Sequence, residues 1–149
     1  MFHLMAASFV GVWKLVAWDF KEQVSGKVSL PWQGRASGEF RFDENGGVAV
    51  QMMRADRPLE SAQGGPIWAA SLSPRQRLET LDGYLAYWGT YSADFVTQTL
   101  HLHLDGALRP TWVNGEQQRR FEFSDDGREL TLFYAVAQGT HRLTWRKTS

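Results

Sequence analysis

Tyr84-Leu85-Ala86-Tyr87-Trp88-Gly89-Thr90-Tyr91 and, further on, Gly106-Ala107-Leu108-Arg109-Pro110-Thr111-Trp112-Val113 decide how this chain folds. With the residues around them they read as a short helix feeding a strand, a hairpin into a second strand, and a structured aromatic loop. Just upstream, Ser73-Pro74-Arg75-Gln76 carries a helix start: Ser73 is a good N-cap, Pro74 suits the first helical position, and Gln76 completes a capping box. The helix is predicted to reach about Asp82 and stop at Gly83. Its apolar residues Leu78 and Leu81 are three apart, so it should lie against something as a lid or plug. Before it, residues 55 to 72 hold Arg57-Pro58 and Gly64-Gly65-Pro66 and read as a long loop.

Working outward, Leu85 to Asp94 and Thr97 to Asp105 are strands. Three others precede them. Phe9 to Lys21 alternates and is rich in Val, Trp and Phe, and Arg35 to Asp43 puts Phe40 and Phe42 on one face. Val48 to Arg54 puts Val48, Val50 and Met52 together, after a hairpin turn at Asp43-Glu44-Asn45-Gly46-Gly47. Three more follow: Glu116 to Ser124, Arg128 to Ala135 and His141 to Lys147, with turns at Asp125-Asp126-Gly127 and Gln138-Gly139-Thr140. Eight short strands joined mainly by hairpins predict an all-β fold: an eight-stranded, up-and-down antiparallel barrel with one short helix before the fourth strand. Eight strands can enclose room for one small ligand. Residues 1–149 carry no repeat or linker and read as a single domain.

Composition narrows the functions. Lys+Arg and Asp+Glu are equal at 16 each, so no strong field draws nucleic acid or an anionic membrane. No stretch is long enough to span a bilayer, and the run Leu4 to Val12 lacks the basic flank of a secretory signal. With zero cysteines there is no disulfide framework or thiolate chemistry, which fits a reducing cytoplasm. A second copy of the chain stays a candidate partner, making a homodimer. No nucleophile motif, phosphate loop or dinucleotide fingerprint is present, so hydrolase, kinase and redox chemistry lack support, and no cofactor is implied. The aromatic excess, 7 Trp, 4 Tyr and 9 Phe, suits a core and a ligand cavity equally well.

The central segment resembles the lipocalin-like domain family, whose members carry an A-Y-[aromatic]-G-T-Y strand, a histidine-bearing strand and a G-x-L-x-P-x-W loop. Gly11-x-Trp13, Gln51-x-x-Arg54-x-Asp56-Arg57-Pro58, and Trp145-Arg146 at the end add to the likeness, which covers nearly the whole chain. The resemblance implies a small calycin-type barrel holding a small molecule inside. It also implies a basic residue over the first tryptophan, with Arg146 in the matching place, where a cation–π contact would help close the barrel.

Candidate site residues follow from strand faces. His101 and His103 share one face with Thr99 and Asp105, while Leu100, Leu102 and Leu104 take the other; alternation alone leaves open which is inside. The resemblance favours the histidine face, but only at His103, since Leu102 stands where the family has its other histidine. His101-x-His103 could also begin a zinc site, but a third ligand is missing, so no metal is expected. On Glu116 to Phe123 the apolar face carries Gln117, Arg119, Phe121 and Phe123. An arginine there needs an acceptor, and a ligand carboxylate, enolate or carbonyl would supply one; a structural ion pair or a rim position would do so equally. Tyr87 and Tyr91 share a face, and Trp112 lies in the aromatic loop. The expected function is binding of a small, largely apolar, oxygen-bearing molecule. Phe40, Phe42, Met52, Phe121 and Phe123 would form the wall, and Arg119, His101, His103, Tyr87, Tyr91 and Trp112 the polar and aromatic contacts. The alternative is a cyclase or isomerase of a polyketide- or terpenoid-like substrate, with Arg119 polarising a carbonyl and His103 moving a proton.

Overall fold

The computed structural model describes residues 8–57 and 65–148, Pro66 by its backbone alone. The elements in chain order are β1 Gly11–Glu22, β2 Val28–Ser29, β3 Ala36–Phe42, β4 Gly47–Arg54, α1 Pro74–Asp82, β5 Tyr84–Asp94, β6 Thr99–Ala107, β7 Glu116–Phe123, β8 Glu129–Val136 and β9 Gly139–Lys147. β2 is a two-residue flap on the end of β1. The other eight strands pair antiparallel in chain order, and β9 returns to β1 from Trp13↔Lys147 to Glu22↔Gly139, closing the barrel. This is the predicted up-and-down barrel, with α1 before its fourth long strand. The capping box forms as expected, with Ser73 Oγ accepting from the Gln76 amide at 3.2 Å. Pro58 and Gly64 of the expected loop, and His3 and Leu4 near the start, lie outside the described residues.

Two β-bulges decide which side chains point inward. In β1, Leu15 pairs with Trp145 and Ala17 with Thr144, leaving Val16 over. One extra residue reverses the alternation. Trp13 and Leu15 face the interior before the bulge and Trp18 after it, while Asp19 turns outward to meet Arg142 at 2.7 Å. In β6 the extra residue is Asp105, because Trp88 pairs with Gly106 and Gly89 with Leu104. At this kink β5 and β6 approach so closely that a Cβ on Gly89 would collide with the carbonyl oxygen of His103. That gives the glycine of the aromatic motif a packing reason.

One end of the barrel is solid. Leu100, Leu102 and Leu104 are 0% exposed and pack with Trp13 and Leu130. Phe9, just before β1, caps them, its ring 4.9 Å from both Phe121 and Phe123 and 5.2 Å from Phe42. Its carbonyl accepts the Trp13 indole N–H at 2.8 Å. Burying each such large side chain is worth roughly 1.5–3 kcal/mol. The cation over Trp13 is Lys147, 5.5 Å from the ring centroid, and not Arg146 as the resemblance implied. The register sets Lys147 opposite Trp13 and turns Arg146 outward to Glu129 at 2.8 Å. The lid expectation for α1 also needs correction: Leu78 and Leu81 are exposed and no residue of α1 is buried. Arg77 holds the helix to the preceding 3-10 turn through the carbonyls of Ala69 and Ala70.

Candidate functional site

The other end of the barrel is hollow. A cavity of about 120 Å³ lies there, walled by Phe40, Val50, Met52, Leu85, Leu132 and Leu143, with the indoles of Trp18, Trp112 and Trp145. Its polar lining is Tyr87, Arg119, Tyr134 and His141. β8 and β9 meet in the register Tyr134↔His141, Leu132↔Leu143, Leu130↔Trp145, and β7 meets β8 at Phe121↔Leu132. One step further along, Arg119 comes to Tyr134. A row therefore runs across the inner wall: the Arg119 guanidinium 3.9 Å over the Tyr134 ring, and Tyr134 stacked at 6.1 Å on His141.

Arg119 is only 7% exposed. Its hydrogen bonds leave from Nη1 and end on neutral oxygens, Gln117 Oε1 at 3.2 Å and the Gln118 carbonyl at 2.9 Å. Among the described residues no carboxylate forms an ion pair with it. Taking a guanidinium out of water without a counter-charge is costly, so a buried cation without one is poised for an anionic or strongly dipolar partner. Burial pushes the Tyr87 hydroxyl up from its ordinary pKa, and Arg119 beside it offsets part of that. The His141 imidazole titrates below its ordinary value, first because it is buried and then because Arg119 repels its proton. Its Nδ1 accepts the Trp18 indole N–H at 3.0 Å. Trp145 Nε1 is buried and has no hydrogen-bond partner.

Of the residues expected from the sequence, Phe40, Met52, Tyr87, Trp112 and Arg119 line this cavity together. Phe42, Phe121, Phe123 and Tyr91 do not: they pack around Phe9 at the solid end. The Tyr91 hydroxyl is taken by the carbonyl of Asp43 at 3.3 Å. His101 and His103 are corrected as well. The leucine face of β6 is the inner one, so both histidines lie on the outer wall. There His103 meets Glu116 at 2.9 Å and Asp105 at 3.5 Å, and the Glu116 hydrogen bond raises its pKa. Among the described residues no group of three or more metal-ligating side chains stands together.

Reading the sequence missed Tyr134, His141, Leu143 and Trp145. Their signal was the alternation of His141, Leu143 and Trp145 along β9, opposite an equally alternating Leu130, Leu132 and Tyr134. Trp18 was hidden by the bulge. The Gln51 to Arg57 motif proves to be a brace near the hollow end: Tyr84 donates its hydroxyl to Gln51, Arg54 and Arg35 hold Asp56 at 2.9 and 3.0 Å, and Arg57 stacks 5.2 Å over Tyr84.

A family model described as a lipocalin-like domain matches residues 10–148, from the start of β1 to the end of β9. No curated protein matches the chain.

Proposed function

The chain belongs to the lipocalin-like domain family, and from that premise we propose that it holds a small, largely apolar molecule bearing an oxygen function in the hollow end of the barrel. The observation that carries this reading is Arg119, a cation 7% exposed with neutral acceptors only, on the wall of an otherwise apolar cavity. A planar guanidinium can grip a carboxylate, enolate or carbonyl through two parallel N–H groups, while Phe40, Met52 and Leu143 take the apolar body. A barrel of this family binds hydrophobic molecules in general; the oxygen function is the finer part of the proposal. The cyclase or isomerase alternative relied on His103, which faces away from the cavity, so no observation favours it over simple binding. No helix of the described residues is long and apolar enough to cross a membrane. The zero cysteines support the cytoplasm as its place of work.

Native mass spectrometry of the purified protein tests the reading by seeking a co-purifying small molecule, and an apolar dye that quenches tryptophan should compete with it. Arg119→Ala is expected to weaken the captured molecule by about 2–4 kcal/mol, the scale for removing one partner of a buried charged hydrogen bond. Arg119→Lys should lose much of the affinity too, since an ammonium cannot make the two-pronged contact. If both variants bind as the wild type does, Arg119 is structural and the anchor is elsewhere.

A further inference from the structure

Given that binding role, on which this inference rests, the cavity's uncommitted polar groups specify the charge of its occupant. His141 Nδ1 accepts the Trp18 N–H, so the neutral imidazole must carry its own proton on Nε2 and can act there only as a donor. Trp145, 1% exposed, has an indole N–H with no acceptor. Arg119 is a cation whose nearby amide oxygen, Gln117 Oε1, is already engaged. Among the described residues no aspartate or glutamate lines the cavity. Apart from the two tyrosine hydroxyls, which can serve either way, every group with capacity left donates. A neutral amide or alcohol brings at most one good acceptor and no charge. A carboxylate brings two oxygens and the missing negative charge.

Size narrows the class further. At about 120 Å³ the cavity is slightly smaller than the ~150 Å³ apolar cavity known to hold benzene, and much of its wall is the flat rings of Phe40, Tyr87, Trp112, Tyr134 and Trp145. We propose that the hollow end is a site for small planar monocarboxylates no larger than benzoate, with His141 and Trp145 as binding residues beside Arg119, and that it discriminates against neutral and cationic isosteres.

Calorimetric titration of the wild-type protein with benzoate, benzamide, benzyl alcohol and benzylamine at neutral pH tests the charge. Benzoate is expected to bind at least about tenfold more tightly than the two neutral compounds, and benzylamine not to bind, because the cation would face Arg119. Trp145→Phe and His141→Phe each keep a ring in place while removing the donor. Each should weaken benzoate about tenfold and benzyl alcohol by a smaller factor, with an unchanged circular dichroism spectrum. Equal affinity for benzamide, benzyl alcohol or benzylamine overturns the carboxylate assignment yet leaves small-molecule binding standing. Unchanged benzoate affinity in both folded variants overturns the roles of His141 and Trp145. If none of the four compounds binds, the carboxylate site falls, and the wider binding role is then decided separately by the co-purifying molecule and the dye competition. The wild-type series decides the charge even if a variant fails to fold.

Discussion

A guanidinium placed among aromatic rings with amide oxygens as its acceptors is a position where stability and binding pull in opposite directions. Arg119 has the Tyr134 face at 3.9 Å and two neutral hydrogen bonds to offset its lost hydration, and no negative charge. Replacing a buried charge by an apolar side chain of similar length often stabilises a fold. Arg119→Met is therefore expected to raise stability by about 1 kcal/mol or more while abolishing carboxylate binding. A lowered thermal midpoint would show that the ring contact outweighs the desolvation. His141 gives a pH signature whose sign follows from its depressed pKa. As pH falls through the ordinary histidine value of about 6.5, the unfolded chain takes up the proton first. Stability contributed by the neutral ring is thus complete above that value and lost as pH drops towards the folded pKa. Urea unfolding at pH 8 and pH 5 should show a smaller loss on acidification in His141→Phe than in the wild type; an identical loss in both would clear His141. Outward-facing His103, whose pKa is raised, works in the opposite sense. Its stabilisation is present at low pH and fades as pH rises through its folded value, so the comparison must keep it intact. Arg119 was legible in the sequence because its alternation with Phe121 and Phe123 puts a charge on an apolar face. His103 misled because one strand offered two plausible faces, and only burial of Leu100, Leu102 and Leu104 settles which is inner.

At the level of elements, the eight barrel strands and α1 could be read from alternation and from the Ser73–Gln76 cap, and their ends shift by no more than two residues, whereas the two-residue β2 carries no such signal. The bulges could not. Adding Val16 or Asp105 to a strand changes neither composition nor turn signals, yet it moves every following side chain to the other face. That single-residue slip is why Trp18, and not Ala17 or Asp19, reaches the cavity. The β6 bulge supplies a direct test. Gly89→Ala would drive a methyl group into the His103 carbonyl, which is backbone and cannot swing aside. A loss of about 1–3 kcal/mol is expected, as for overpacking, measured by chemical unfolding. A variant as stable as the wild type would mean that the two strands can separate at the kink without penalty.

Over the whole molecule, the barrel divides into a solid end that holds the strands together and a hollow end where the proposed guest would sit. Phe9 sits at the first, with five aromatic rings within 6.0 Å of its own. Phe9→Ala should lower stability by about 3–5 kcal/mol, the usual range for emptying such a position, yet leave benzoate affinity within about twofold. A comparable fall in affinity would show that the two ends act as one. The sequence announced eight strands and an aromatic surplus, but not how those aromatics divide between the ends. That depends on the stagger of strands around the barrel and on Phe9 folding over its rim.

Trp112 belongs to two spaces at once. Its indole walls the inner cavity and also a second hollow of about 330 Å³ outside it, bounded by Leu81, Tyr84, Leu108 and Pro110, and Leu85 is the other residue they share. It stands on a short 3-10 turn, Pro110–Trp112, outside the strand ladders. Descendants of this chain could therefore change the length of molecule they accept by altering one loop residue, with every strand register preserved. A substitution at position 112 would thus reshape the space for the proposed guest while leaving the barrel itself unchanged.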